Sequence, residues 1–334
     1  MRKLVALLLV LSMLGIVAGC SSTSVGGKKK DDKITICMIP QIKGIDYFNA
    51  CEKGAKEAAE ELDINFIYDG DTEGRIDRQI EMIETWIQMK VDAICVAPID
   101  SAAIVPTLKK AQKEGITVVT FDVDTTEEDG RTWFMNQCDS YDVGASLMDC
   151  LIKEKGDTGS YAVLCEKLTD VAQEQWTSAA IDWQKKNYPN MVLTELKQCG
   201  ASQEEAYQVA KDMLKAYPDL TGFITVGAMV MPGTIEAVVD SGMKGKVAIE
   251  GAGTPNEIKG FFEDGSITYN VLWNPIDLGY GAVVSAYMAV KGDLKAGANS
   301  VECGKLGQLE VNGKVIKLGE PYIFTIDNVY DFDF

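Results

Sequence analysis

The 334-residue chain contains no histidine. That absence excludes a Ser-His-Asp triad, a Cys-His pair and a His-ligated zinc site. Carboxylate, lysine and cofactor chemistry stay open. Basic residues are scarce as well: 32 Lys and Arg stand against 50 Asp and Glu, a formal charge of −18. A field of that sign repels phosphate backbones and anionic headgroups, so no nucleic-acid partner is expected. Despite nine cysteines there is no Cys-x-x-Cys pair, and no metal is expected. The stretch Gly251–Gly253 lacks the third glycine of a dinucleotide-binding loop, so no cofactor is expected either. What remains is the profile of a folded protein, 46% hydrophobic and 25% charged, long enough for about two domains.

Arg2 and Lys3 precede an apolar run, Leu4 to Val17, that is short of the about 20 residues of a membrane span. The run ends in Val17-Ala18-Gly19-Cys20, which resembles a bacterial lipobox. The resemblance implies cleavage before Cys20 and a lipid on its sulfur. The alternative is an ordinary signal peptide with a chance cysteine. Residues 1–19 are therefore expected to be a lipoprotein signal peptide and 20–32, rich in Ser, Gly and Lys, a lipidated tether. The folded part is expected outside the cytoplasm from near Lys33, touching the membrane only through its anchor. The eight later cysteines are irregularly spaced, and Cys37, Cys95 and Cys165 fall in strand-like runs. Free buried thiols are expected rather than a disulfide framework.

From Lys33 onward, β-branched runs alternate with amphipathic stretches. Ile76, Ile80, Ile83 and Ile87 step by four, three and four, the spacing of one helix face. Strands near 34–39, 65–68, 93–97, 117–121, 132–135, 160–165, 191–197, 221–225, 246–249 and 268–272 are separated by helical patterns. This order predicts an α/β protein with parallel sheets and right-handed crossovers. The strands outnumber what one ordinary open sheet holds, which points to two doubly wound lobes. A TIM barrel is the alternative that periodicity leaves open. Asn312-Gly313 between Gln308–Val311 and Lys314–Lys317 signals a hairpin.

In open parallel sheets, ligands sit outside the carboxyl ends of the strands. The first strand is followed by Lys43, Asp46, Tyr47 and Phe48, the third by Asp100 and Ser101, the fourth by Asp122 and Asp124. Later strands lead to Ala172, Gln173 and Trp176, to Val226 and Ala228, and to Trp273 and Asn274. A few polar groups among aromatics suit a small, hydroxylated, neutral ligand. Each residue also has a plainer reading: Asp46, Asp100 and Ser101 as helix caps, the aromatics as core.

The lipobox, the run Ile39-Pro40-Gln41-Ile42-Lys43-Gly44, Lys53-Gly54-Ala55, the segment 119–124, Tyr217-Pro218-Asp219-Leu220 and Leu272-Trp273 resemble the type I periplasmic binding proteins of sugar ABC transporters. Among them the likeness is closest to the Lsr-type receptors for autoinducer-2 and their rhamnose-binding relatives. The resemblance implies two lobes, 33–137 plus 275–322 and 138–274 plus 323–334, joined by a three-segment hinge. It implies a monomer that delivers a small polyol to a membrane ABC permease. Lys43 and Asp122 match the family's ligand-binding lysine and aspartate, and Gln173 and Ala228 match its glutamine and alanine. Ala172 stands where the family has an aspartate, with Asp170, Glu174 or a water as substitutes, and Val226 stands where it has a proline. The arginines of ribose receptors are missing, which favours autoinducer-2 or a deoxy sugar. An enzyme on the same fold and a purely sensory receptor are the competing classes.

Overall fold

The computed structural model describes residues 33–227 and 229–334; Cys20 and Ala228 lie outside the described residues. Residues Ile34–Phe334 form one compact unit, built on two open sheets. In the first sheet the parallel core runs β2 (Asn65–Tyr68), β1 (Thr35–Ile39), β3 (Ala93–Val96), β4 (Thr117–Phe121) and β5 (Trp133–Asn136). The second is parallel throughout, in the order β7 (Met191–Gln198), β6 (Gly159–Cys165), β8 (Gly222–Val226), β9 (Ala248–Glu250). A short antiparallel pair, β10 (Asn270–Leu272) with β14 (Tyr322–Phe324), lies beside it, with the Val271 N–H on the carbonyl of Gly251. Two open sheets replace the closed barrel that the strand–helix alternation left possible.

Strand residues alternate between two faces, so each buried strand needs cover on both sides. In β1, Ile36 and Met38 face one core while Cys37 and Ile39 face the other. The second core is filled by Ile83, Trp86 and Ile87 of α2 (Ile76–Met89) and Leu108 of α3 (Val105–Lys113). Ile83 and Ile87 are thus buried as their spacing implied, while Ile76 and Ile80 lie at its edge. On the opposite face α1 (Asp46–Glu61) packs against α9 (Pro275–Lys291) through glycines. A Cβ at Gly54 would collide with the carbonyl of Ile276, and one at Gly279 with the carbonyl of Cys51. The second sheet is covered by α4 (Ser140–Lys155), α5 (Val171–Asn187), α6 (Gln203–Ala216), α7 (Val230–Asp240) and α8 (Pro255–Glu263). There Gly144 brings α4 against the backbone of α5 at Trp176 and Ala180.

The chain passes between the sheets at 137–139, 273–274 and 318–321. The third passage comes before Tyr322, which already pairs with Leu272 in β10. Downstream of α9, β11 (Ser300–Glu302), β12 (Gln308–Asn312) and β13 (Val315–Lys317) extend the first sheet beyond β5. The hairpin is one residue out of the expected register. Asn312 pairs with Val315, so Gly313 and Lys314 make the turn. Gly313 takes φ +62° at its first position, where a type II′ turn places glycine. All eight described cysteines are free and buried. Among the described residues, no helix is long and apolar enough to cross a membrane.

Candidate functional site

A cavity of about 390 Å³ opens between the two sheets, lined by residues that follow β1, β2, β4, β6, β7, β8, β9 and β10. Its size and its mixture of aromatic and carboxylate groups suit a single-ring ligand.

Asp122 sits at the centre. It directly follows β4, is 8% exposed and takes φ +65°, a left-handed conformation that Asp tolerates better than most side chains. The turn is closed by the Val123 N–H on the Phe121 carbonyl at 2.7 Å. Oδ1 of Asp122 accepts from the Tyr47 hydroxyl at 2.5 Å, and the Tyr47 hydroxyl oxygen accepts from the Trp273 indole N–H at 2.7 Å. Burial pushes the Asp122 carboxyl up to about 7, against the Tyr47 hydrogen bond and with the help of Asp170. Burial, with Asp122 beside it, holds the Tyr47 phenol well above its usual range.

The aromatic wall is continuous. Tyr47 meets Phe48 and Trp273 edge-on at 5.1 and 6.2 Å, and Trp273 meets Trp176 at 5.3 Å. Tyr47, Phe48, Trp176 and Trp273 all line the cavity; Phe48, Trp176 and Trp273 are also buried core, and Tyr47 is half-buried.

Across from Asp122, Gln173 lines the cavity at the start of α5 and fixes the preceding loop. Its Oε1 accepts the backbone N–H groups of Glu166 and Lys167 at 3.0 and 3.1 Å. Asp170 caps α5 by accepting the Gln173 N–H at 3.0 Å, and it lines the cavity beside Ala172. Of the two carboxylates weighed against Ala172, Asp170 is therefore the one present; Glu174 bonds Ser178 instead. Glu166, which the sequence did not single out, is also at the wall, its carboxyl pushed up to about 7 by burial and by Asp170.

Four expected residues point elsewhere in this structure. The Lys43 ammonium pairs with Asp69 at 2.8 Å in an exposed ion pair and does not line the cavity. Asp124 is held by Arg131 at 2.7 Å and by the Thr120 hydroxyl at 2.8 Å. Asn274 caps α9, accepting the Ile276 N–H at 3.0 Å. Val226 is buried at the end of β8, and its carbonyl takes the Glu166 N–H at 3.0 Å. Asp46 begins α1 without capping it, whereas Asp100 accepts two backbone N–H groups, from Ala102 and Ala103.

Gln79, fully buried on α2, supports the site from behind. Its amide donates to the carbonyls of Pro40 and Ala97 at 3.0 and 2.8 Å and accepts from the Ile99 N–H at 3.1 Å. The loops after β1 and β3 are thereby tied to one side chain. A polar residue one position before an apolar one on a buried helix face was its only trace in the sequence.

A sequence profile described as a periplasmic binding protein domain matches residues 36–294. A curated D-ribose/D-allose-binding protein from Pseudomonas aeruginosa is 26% identical over 275 residues, covering 75% of this chain and 82% of its own length. A sugar ABC transporter structure from Actinomyces odontolyticus superposes with a TM-score of 0.78 at 28% identity, covering 90% of this chain and 98% of that one. LsrB from Clostridium saccharobutylicum in complex with AI-2 gives 0.83 at 26% identity, covering 90% and 100%.

Proposed function

Since this chain belongs to the periplasmic binding protein family, the sugar-binding, extracytoplasmic components of ABC importers, we propose that it captures autoinducer-2 in the cavity between its lobes and delivers it to a membrane permease. The observation that carries the reading is Asp122, buried at a strand tip, fed by Tyr47 and Trp273 and facing Gln173 across a cavity of one-ring size. An ionised carboxylate with a spare oxygen accepts two ligand hydroxyls, and the aromatic wall covers the apolar face of a small ring. The likeness to a receptor structure holding AI-2 supports this ligand. Lys43 joins the site by leaving Asp69 when the lobes close about the three connecting segments, residues 33–137 plus 275–321 moving against 138–274 plus 322–334. A lipid on Cys20 anchors the protein at the outer face of the membrane.

A neutral monosaccharide is the second reading, favoured by the curated relative that binds ribose and allose. Calorimetric titration of the purified protein with the autoinducer-2 precursor, ribose, allose and rhamnose separates the two. Sub-micromolar binding of the precursor is the expected result. Such binding by a sugar, with none of the precursor, selects the second reading and rejects the first.

A further inference from the structure

The cavity gathers three carboxylates without a cation. Asp122 enters from the tip of β4, while Glu166 and Asp170 enter from the loop between β6 and α5 in the other lobe. Among the described residues, no Lys or Arg lines this cavity. Glu73 at the rim is a different case, since Arg75 pairs with it at 3.3 Å. Internal hydrogen bonds leave much of the trio's capacity unused. Asp122 accepts from Tyr47 and Asp170 from a backbone N–H, each on one oxygen. No described residue donates to the carboxylate of Glu166, whose Oε2 packs over the backbone of Gly227.

Like charges that face each other across a closing cleft repel more strongly as water leaves. A neutral polyol brings hydroxyls but no charge, and the one ammonium that closure brings in, Lys43, balances only one of the three negative groups. The site would shut over it with a desolvated excess of one sign, unless one member of the trio becomes neutral. Building on the ligand reading above, we propose that Glu166 contacts the ligand and sets its class, and that capture of a neutral polyol draws one proton from solvent onto the Asp122–Glu166–Asp170 trio. A protonated Glu166 turns one acceptor into a donor. The site then offers O–H to a ligand ring oxygen from one lobe and a carboxylate to ligand hydroxyls from the other.

The surroundings agree. Burial first, then Asp170, raises both Asp122 and Glu166 to about 7. From α1, Tyr47 and Cys51 face Asp122 with their protons held on. On its own loop Lys167 opposes the rise of Glu166 without cancelling it. Lys43 is engaged with Asp69 before closure, and once it joins the site it leaves two of the three carboxylates unbalanced.

Calorimetry at pH 6, 7 and 8, in phosphate and in Tris, tests the inference with the autoinducer-2 precursor and ribose as probes. Affinity is expected to fall about fivefold to tenfold from pH 7 to pH 8, with a binding heat that differs between the buffers by about one proton's ionisation. Glu166→Gln, which keeps the shape and a donor but does not titrate, is expected to flatten the profile from pH 6 to pH 8. Equal affinity at pH 6 and 8, a buffer-independent heat, or a Glu166→Gln profile as steep as the parent's overturns the inference. A ligand-free readout separates this from the ligand reading, because Trp273 is wired to Asp122 through Tyr47. Tryptophan fluorescence is expected to titrate near pH 7, to keep that step in Glu166→Gln and to lose it in Asp122→Asn. A protein that shows the step yet binds neither probe overturns the ligand reading, and proton uptake on binding falls with it.

Discussion

Tyr47 donates its hydroxyl proton to Oδ1 of Asp122 at 2.5 Å, joining the first turn of α1 to the tip of β4. The contact fixes the direction of the carboxylate before any ligand arrives. It also leaves Oδ2 without a partner among the described residues, available for a ligand hydroxyl. The left-handed backbone at Asp122 aims the side chain into the cavity, a local strain that a binding site retains because the surrounding packing enforces it.

Asp122→Asn is expected to weaken ligand binding by at least about tenfold while stabilising the ligand-free protein at alkaline pH. The Asp122 carboxyl titrates at about 7 in the fold and at about 4 in the unfolded chain. Its contribution is therefore fully present below about pH 4 and is lost as pH rises through 7. At pH 8 the variant should be more stable than the parent by about 1 to 3 kcal/mol, the difference shrinking below pH 7 and vanishing near pH 4. Urea melts at both pH values measure this; a variant less stable at pH 8 would show that the carboxylate is held by something else.

Lys43→Ala is expected to cost at least about tenfold in affinity and almost nothing in stability. The Lys43–Asp69 pair is 41% and 52% exposed, and exposed pairs contribute about 0 to 1 kcal/mol. Asp69→Ala frees the same ammonium and should leave affinity unchanged or raise it. If both variants bind as the parent does, Lys43 has no part in the site.

Gln79→Ala should destabilise by about 3 kcal/mol, because it orphans two carbonyls and one N–H in a fully buried place. Affinity is expected to fall with it, since the loop after β1 carries Ile42, Ile45 and Tyr47 to the cavity. A variant with full stability and an unchanged denaturant slope would remove Gln79 from this role.

The thiols give a check on the packing. Burial pushes Cys37, Cys199 and Cys303 up to about 12 and Cys165 to about 11, so none is a ready thiolate. A thiol reagent at pH 8 should react slowly with the folded protein and fast with the eight cysteines of residues 33–334 once guanidinium is added. Fast reaction before unfolding would contradict the burial.

Much of this was legible in the sequence because it is written in period and position. Continuous apolar runs such as Ala93–Val96 exist only where a strand is covered on both faces, and the loops after strand tips delivered Asp122, Gln173, Trp176 and Trp273. What stayed hidden depends on where side chains turn. Lys43, Asp124 and Asn274 follow strands as the rule requires, but each has a nearer partner, in Asp69, Arg131 and the start of α9. Glu166 was passed over because a carboxylate in a polar loop carries no periodic signal, and Gln79 because a buried amide on an apolar helix face reads as an interruption. The strands Ser300–Glu302 and Tyr322–Phe324 escaped because both pair antiparallel, outside the strand–helix repeat that the sequence reading followed.

The threefold passage of the chain bears on how the molecule is made. Neither half is a contiguous stretch: β13 joins the first sheet beside β5, and β14 pairs with β10, so both halves receive a piece from the final quarter of the sequence. During vectorial synthesis or export, no earlier fragment holds a finished half. The first half waits for residues 315–317 and the second for residues 322–334, whose last carbonyl, on Phe334, accepts the Asn256 N–H.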